Sequence, residues 1–317
     1  MSLQLPAVDV PPQPWTGRFD GDGPGHRRWW QAVNSGSKSW NGEAAAKPAA
    51  LLGFASDEGV RRNKGRTGAC EAPAALRKAL GPLAFHLDRA VVDVGDVVVS
   101  GQDLEAGQDR LGRAVAALLE AGHQTVVLGG GHETAYASYL GVAGSTAVQS
   151  GQRLGVLNLD AHFDLRDEPI PSSGTPFLQM ARAEADAGRE FRYAVVGISE
   201  PNNTQVLFDT AQKLGVQYLL DEDCDADRVR DFVGGFLAGI DVLYLTIDLD
   251  VLPAAVAPGV SAPAAYGVPL HVISAVCRQV AQSGKLLHLD VAELNPAFDI
   301  DGRTARTAAR LVDTLLR

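Results

Sequence analysis

Short apolar runs rich in β-branched residues recur along this chain at residues 49–54, 91–99, 125–128, 154–159, 193–198, 216–219, 242–247 and 286–291. Most show no polar alternation, so both faces of such a strand would be buried, as in a parallel sheet. Stretches with helical spacing lie between them, at 74–80, 108–121, from 133, 177–187, 204–214, 226–237, 270–283 and 304–316. In the second of these, Leu111, Val115, Leu118 and Leu119 share one face and Gly122 follows as a C-cap. Strand and helix alternating this often predict an α/β fold with a parallel sheet covered on both faces. The run at 91–99 reads as a strand pair, or as one strand turning at Gly95 and Asp96.

Three of the runs end in polar clusters. Residues 154–159 lead into Asp160, Ala161, His162, Phe163 and Asp164; residues 242–247 lead into Asp248, Leu249 and Asp250; residues 125–128 lead into Gly129, Gly130, Gly131, His132 and Glu133. If the strands continue, residues at i, i+2 and i+4 point the same way, so Asp160, His162 and Asp164 converge. Open α/β sheets bind ligands beyond the carboxyl ends of their strands, where all three clusters would meet. A single aspartate after a strand is adequately explained as a helix cap, but the set of six is not. Two imidazoles and four carboxylates suit two divalent cations with room for a bridging hydroxide. Oxygen-rich ligation without thiolate favours Mn(II) over Fe(II), Co(II) or Zn(II).

The rest of the chain narrows the classes. A net charge of -10 and no basic run interleaved with aromatics exclude a nucleic-acid partner. No stretch is long and apolar enough to span a membrane, since 232–252 is interrupted by Asp241, Asp248 and Asp250. Cys70, Cys224 and Cys277 form neither a disulfide framework nor a zinc ribbon, which fits a reducing, cytoplasmic setting. Residues 1–48 lack periodicity and read as an extended arm, and its Trp15, Phe19, Trp29, Trp30 and Trp40 predict that it packs on a single domain spanning 49–317. Residues 57–66, with Arg61, Arg62, Asn63, Lys64 and Arg66, read as a polar loop after the first strand.

The Gly129 to Glu133, Asp160 to Asp164 and Thr246 to Asp250 motifs, the last followed by Ala257, Pro258 and Gly259, resemble the three metal motifs of the ureohydrolase (arginase/agmatinase) superfamily. Two further blocks, Asn63 to Ala69 and Asp290 to Pro296, resemble family blocks in the same order. The resemblance implies a three-layer α/β/α fold with a mostly parallel central sheet and a dimanganese centre. One Mn(II) would take His132, Asp160, Asp164 and Asp248, the other Asp160, His162, Asp248 and Asp250, with Asp160 and Asp248 bridging. It also implies a homo-oligomer, a trimer or hexamer.

Departures from the family pattern point to the formimidoylglutamase branch. Gly131 stands where arginases and agmatinases usually carry aspartate, Val251, Leu252 and Pro253 replace a third aspartate, and the wording of 256–263 and of Trp15 to Arg18 is similar to that branch. The implied reaction is attack of a metal-bridging hydroxide on the amidine carbon of N-formimidoyl-L-glutamate, giving L-glutamate and formamide, a step of histidine degradation. Glu293 would hold the amidine nitrogen and Asp164 would protonate the leaving amine. Arg166, two residues past Asp164, suits a small amidine substrate bearing carboxylates, because guanidinium binds carboxylate as a bidentate fork. Asn63, Arg66, Ser173 and Asn203, with Arg62 and Ser172, are further candidates for substrate binding. Between His162 and His271 there is no histidine, so the loop histidine that moves protons in arginase has no counterpart. Alternatives are a ureohydrolase acting on guanidinobutyrate or guanidinopropionate, a non-catalytic metal-binding homologue and a two-metal phosphoesterase.

Overall fold

The computed structural model describes residues 6–35 and 46–317. Its strands are β1 (Asn34–Ser35), β2 (Ala49–Ala55), β3 (Val91–Val98), β4 (Gln124–Leu128), β5 (Leu154–Leu159), β6 (Tyr193–Ile198), β7 (Gln217–Leu220), β8 (Val242–Asp248) and β9 (Leu286–Ala292). The helices are α1 (Trp29–Ala32), α2 (Glu58–Arg62), α3 (Ala72–Leu80), α4 (Leu104–Glu120), α5 (Thr134–Ala143), α6 (Thr146–Gln149), α7 (Pro176–Asp186), α8 (Gln205–Lys213), α9 (Ala226–Ala238), α10 (Leu270–Ser283) and α11 (Arg303–Leu315). The strands form one sheet in the order β1-β3-β2-β4-β9-β8-β5-β6-β7. Every pairing between them is parallel.

Alternation along each central strand feeds two cores. Ala49 and Leu51 of β2 pack with α3, α9, α10 and α11, whereas Ala50, Leu52 and Phe54 pack with α4, α5, α7 and α8. The expected three layers follow from this period of two, because apolar residues on both faces need a helical cover on each side.

Three sequence expectations need correction. The run at 91–99 is one strand with a bulge: Leu51 pairs with Asp93 but Gly53 with Asp96. Gly95 (φ 103) absorbs the extra residue, and a Cβ there would lie 2.2 Å from the Val10 carbonyl oxygen of the arm. Residues 58–62 form α2 instead of a loop, because Arg61 and Arg62 pair with the buried Glu58 one turn back. Helix α4 begins a turn earlier than expected, at Leu104, which is fully buried.

The arm is less extended than its composition suggested. Val10 bridges to Asp96, α1 forms a single turn, and β1 pairs with the edge of β3. Trp29 is fully buried, and the Trp15 indole donates to Asp93 Oδ2 at 2.7 Å. Arg77 also pairs with Asp93 and Asp96, so the bulge, the arm and α3 share one charge network. Trp40 lies outside the described residues. No helix among the described residues is long and apolar enough to cross a membrane.

Candidate metal centre

The carboxyl ends of β4, β5, β8 and β9 stand together in the middle of the sheet, and the three polar clusters meet there. His132 Nδ1 lies 3.2 Å from Asp160 Oδ2, 2.9 Å from Asp164 Oδ2 and 3.2 Å from Asp248 Oδ2. His162 Nδ1 lies 3.0 Å from Asp250 Oδ2 and 3.5 Å from Asp160 Oδ1. Asp160 therefore presents one oxygen to each imidazole and joins the two groups. Ligand atoms of His132, Asp160, Asp164 and Asp248 lie within 4.8 Å of one another, as do those of Asp160, His162 and Asp250. Asp248 enters only the first group, and its Oδ1 accepts from the Asp250 amide at 2.8 Å.

Convergence does not come from a continued strand. Strand β5 stops at Leu159, and Asp164 is left-handed (φ 49). An extended chain advances roughly 6.6 Å over two residues, too far for such a compact cluster. Turns supply the closeness instead. Asp160 Oδ1 accepts from the His162 amide, and residues Leu249–Val251 form a 3-10 turn that brings Asp250 back beside Asp248. Buried Asn203 binds the first turn: its Oδ1 accepts from the Phe163 amide, and its Nδ2 donates to the Ala161 and Ser199 carbonyls.

Close packing explains the triple glycine before His132. A Cβ on Gly130 would lie 1.8 Å from the Ser56 carbonyl oxygen, and one on Gly131 would lie 2.2 Å from Glu133 Oε2. Glu133 itself is buried, with Oε1 accepting from the Ser56 hydroxyl and the Gly59 amide. Glu293 closes the other side: its amide donates to Gly130 and its Oε1 accepts from the His132 amide at 2.8 Å. Of the four left-handed non-glycine residues among those described, Lys64, Asp164 and Glu293 line the same cavity. Backbone strain of this kind persists only where surroundings enforce it, and it gathers at functional sites.

The electrostatics call for added positive charge. Burial and the charges of Asp250 and Asp160 push the Asp248 carboxyl well up, and burial also raises Asp164 and Asp250. Burial opposes charge on His132, yet its hydrogen bonds to the Asp160, Asp164 and Asp248 carboxylates outweigh it and hold the imidazole well above its usual range. Four carboxylates against two imidazoles leave the cluster negative even with both rings protonated. A nitrogen and oxygen donor set without thiolate, short of positive charge, fits hard or borderline divalent cations.

Above the cluster opens a cavity of about 310 Å³. Asn63, Arg66, Arg166, Ser173, Asn203 and Glu293 all line it, together with Lys64, Asn202 and Ser261, which were not singled out from the sequence. Lys64 and Ser261 stand inside the quoted blocks, but only the folded turns show that they face the cavity. The Arg166 guanidinium makes no hydrogen bond or ion pair among the described residues. Its acidic neighbours are engaged elsewhere, Asp167 with Arg182 and Glu168 with Ser172. Gly174 seats it, since a Cβ there would come 2.8 Å from Arg166 Cδ. Arg66, in contrast, donates to the Ser261 and Val260 carbonyls and lies over the Phe298 ring, and Arg62 is occupied by Glu58 and Glu105 away from the cavity. The Ser172 hydroxyl is likewise occupied, donating to Glu168. Burial and Asp57 push the Cys70 thiol up to about 11, which leaves it unreactive.

A parallel sheet, nine-stranded among the described residues, with this candidate metal cluster at its carboxyl edge defines an α/β enzyme scaffold. The chain belongs to the arginase family, whose model matches residues 47–317. It is 59% identical over 302 residues, 95% of each chain, to the formimidoylglutamase of Nocardia farcinica, and 56% identical over 310 residues to that of Rhodococcus opacus, covering 97% of this chain and 96% of that one. Among solved structures, a variant of Trypanosoma cruzi formiminoglutamase crystallised with Mn(II) superposes with a TM-score of 0.76 at 25% identity, over 85% of this chain and 92% of that one. The Bacillus subtilis formimidoylglutamase gives 0.75 at 23% identity, over 87% and 88%, a likeness of fold.

Proposed function

We propose that this chain is a hydrolase that converts N-formimidoyl-L-glutamate and water to L-glutamate and formamide, a step of histidine degradation. The observation that carries the reading is the Arg166 guanidinium, unpaired among the described residues, over the same cavity as the acid–imidazole cluster. It offers a carboxylate anchor within reach of a site suited to amidine hydrolysis. Relatives named formimidoylglutamase, matching nearly the whole chain, support the same substrate.

Two Mn(II) ions would complete the site in this reading, and His132, Asp160, His162, Asp164, Asp248 and Asp250 would hold them. Bound there, the cations supply water activated for attack at neutral pH. Glu293 faces the amidine and accepts its N–H groups, which orients the carbon for attack. Burial and the neighbouring Glu133 raise the Glu293 carboxyl to about 8, and a cationic amidine beside it restores the charged form. Asp164 delivers the proton that the departing amine of glutamate requires. Arg166 holds a carboxylate, with Asn63, Ser173 and Arg66 shaping the wall around it. Asn203 acts through the Asp160 to Asp164 turn, because its amide is fully engaged by the backbone.

Arg166→Ala should raise KM for N-formimidoyl-L-glutamate about 10- to 100-fold, the loss of about 1.5–3 kcal/mol that a hydrogen bond between charged groups contributes. Mn(II) content should stay at the parental value. Glutamate and formamide release is measured beside urea release from 4-guanidinobutyrate, arginine and agmatine. Urea from a guanidino acid would replace the substrate, since Arg166 serves that carboxylate equally well. No product from any of the four, with Mn(II) bound, would leave a non-catalytic metal protein. The reading extends to a cytoplasmic homo-oligomer, a trimer or hexamer, which sedimentation of the purified protein decides.

A further inference from the structure

The sheet face beneath α5 carries a buried polar seam that the proposed reaction does not use. Strands β8 and β9 align Tyr244 with His288 and Thr246 with Asp290, and β4 sets Thr125 opposite His288. Thr246, His288 and Asp290 are all fully buried on a face that otherwise holds apolar side chains such as Val127 and Val156. Polar groups in such a place are costly unless they are hydrogen-bonded. Thr125 Oγ1 and His288 Nδ1 are 2.7 Å apart, and the Tyr244 hydroxyl donates to Asp290 Oδ2. Asp290 Oδ1, His288 Nε2 and Ser138 Oγ have no hydrogen-bond partner among the described residues.

The seam touches the metal centre at one point, where His132 Nε2 lies 3.0 Å from Thr246 Oγ1. With Nδ1 directed at three carboxylates, His132 can take a cation only through Nδ1, so its proton must sit on Nε2. That N–H donates to the Thr246 oxygen. The Thr246 hydroxyl then has its own proton to place, and Asp290 faces it across the strand pair with one oxygen unfilled. Burial works against a charge on Asp290, but His288, Thr246 and Tyr244 outweigh it and hold the carboxyl below its usual range. An ionised carboxylate only accepts hydrogen bonds, so the direction of the whole chain of donors is set.

We propose that Asp290 is a positioning residue for the metal centre: through the Thr246 hydroxyl it fixes the His132 proton on Nε2 and keeps Nδ1 free to bind a divalent cation. The inference rests on the reading that the cluster is a metal centre. Outer partners of this kind orient ligand imidazoles, and their loss typically lowers metal affinity about 10- to 100-fold. Asparagine at 290 offers a donor as readily as an acceptor. It lets the Thr246 proton turn toward His132 Nε2, and the imidazole proton then moves to Nδ1, into the position a cation needs.

Mn(II) stoichiometry and affinity by titration calorimetry test this on the parent, Asp290→Asn, Thr246→Val and Thr246→Ser, with circular dichroism and melting followed on each. Asp290→Asn and Thr246→Val should keep the ion at His162 and Asp250 and lose about 10- to 100-fold in affinity at the His132 site. Thr246→Ser should restore parental binding. The Thr246 pair decides the matter if Asp290→Asn does not fold. Parental affinity at both sites in folded Thr246→Val overturns the proposal, as does an equal loss at both sites, which marks a general structural role. A parent that binds no Mn(II) overturns the metal-centre reading itself.

Discussion

Asp160→Ala should bind neither Mn(II) ion tightly and should lose at least about 10³-fold in kcat/KM for N-formimidoyl-L-glutamate. Among the described residues Asp160 alone pairs with both imidazoles, Oδ2 toward His132 and Oδ1 toward His162. Burial alone would raise its carboxyl, yet the two imidazoles hold it below the usual range. Activating water is worth several kcal/mol to a hydrolase, and about 1.4 kcal/mol corresponds to each factor of ten. Metal analysis and initial rates check the outcome. A melting curve gives a second readout, because a cation that binds only the folded state stabilises it by about 2.7 kcal/mol at one hundred times its Kd. Mn(II) should therefore raise the melting temperature of the parent and leave that of Asp160→Ala unchanged. Retention of kcat/KM within tenfold would remove Asp160 from the centre.

Trp29→Ala should cost about 3–5 kcal/mol of folding free energy, the range for deleting a buried tryptophan side chain. Trp29 is fully buried between the arm and α11. Its indole donates to Asp313 Oδ1 at 3.0 Å, stacks on Trp15 at 6.5 Å and meets Phe85 edge-on at 5.6 Å. This is the proposed division of the chain put to test: an arm that packs as part of the domain core must carry stability, while an appended one would not. Urea unfolding of the parent and variant decides it, with the slope unchanged and the midpoint lowered. Trp29→Phe keeps most of the volume and loses one hydrogen bond, about 1 kcal/mol. A shift below about 1 kcal/mol in Trp29→Ala would show that the arm is dispensable.

Reading the sheet from the chain succeeded because its central strands are apolar on both faces, a pattern with few other uses. Residues 193–198 illustrate it, matching β6 without a shift. Failures came where side-chain pairing or crowding decides the backbone. Glu58 turned a charged loop into α2, and the Val10 carbonyl pressing on Gly95 made a bulge where a turn was expected. Val10 lies far from Gly95 along the chain, so no periodicity signals the bulge, and the Glu58 pairs with Arg61 and Arg62, although three and four residues apart, mark a helix only once Glu58 is buried.

The residue types of the candidate metal cluster were legible for a similar reason. Carboxylates and imidazoles at the ends of apolar strands must lie at one edge of a parallel sheet, so His132, Asp160, His162, Asp164, Asp248 and Asp250 were bound to be neighbours once strand direction was known. Which oxygen faces which imidazole was not decided by the sequence. That depended on turns after β5 and β8 and on Asn203, an amide forty residues away that ties down the turn at 160–164. Arg166 was visible as a charge, but its freedom was not, because only the tertiary structure engages Asp167 and Glu168 elsewhere and leaves the guanidinium without a partner among the described residues. Thr246 and Asp290 were read as parts of strands and motifs, and their link to His132 exists only across β8, β9 and the turn after β4. Local sequence determined the sheet and the kinds of ligand, because strand burial and residue chemistry act over a few neighbours. Tertiary structure decided orientation, pairing and proton placement, because these depend on atoms brought together from distant parts of the chain.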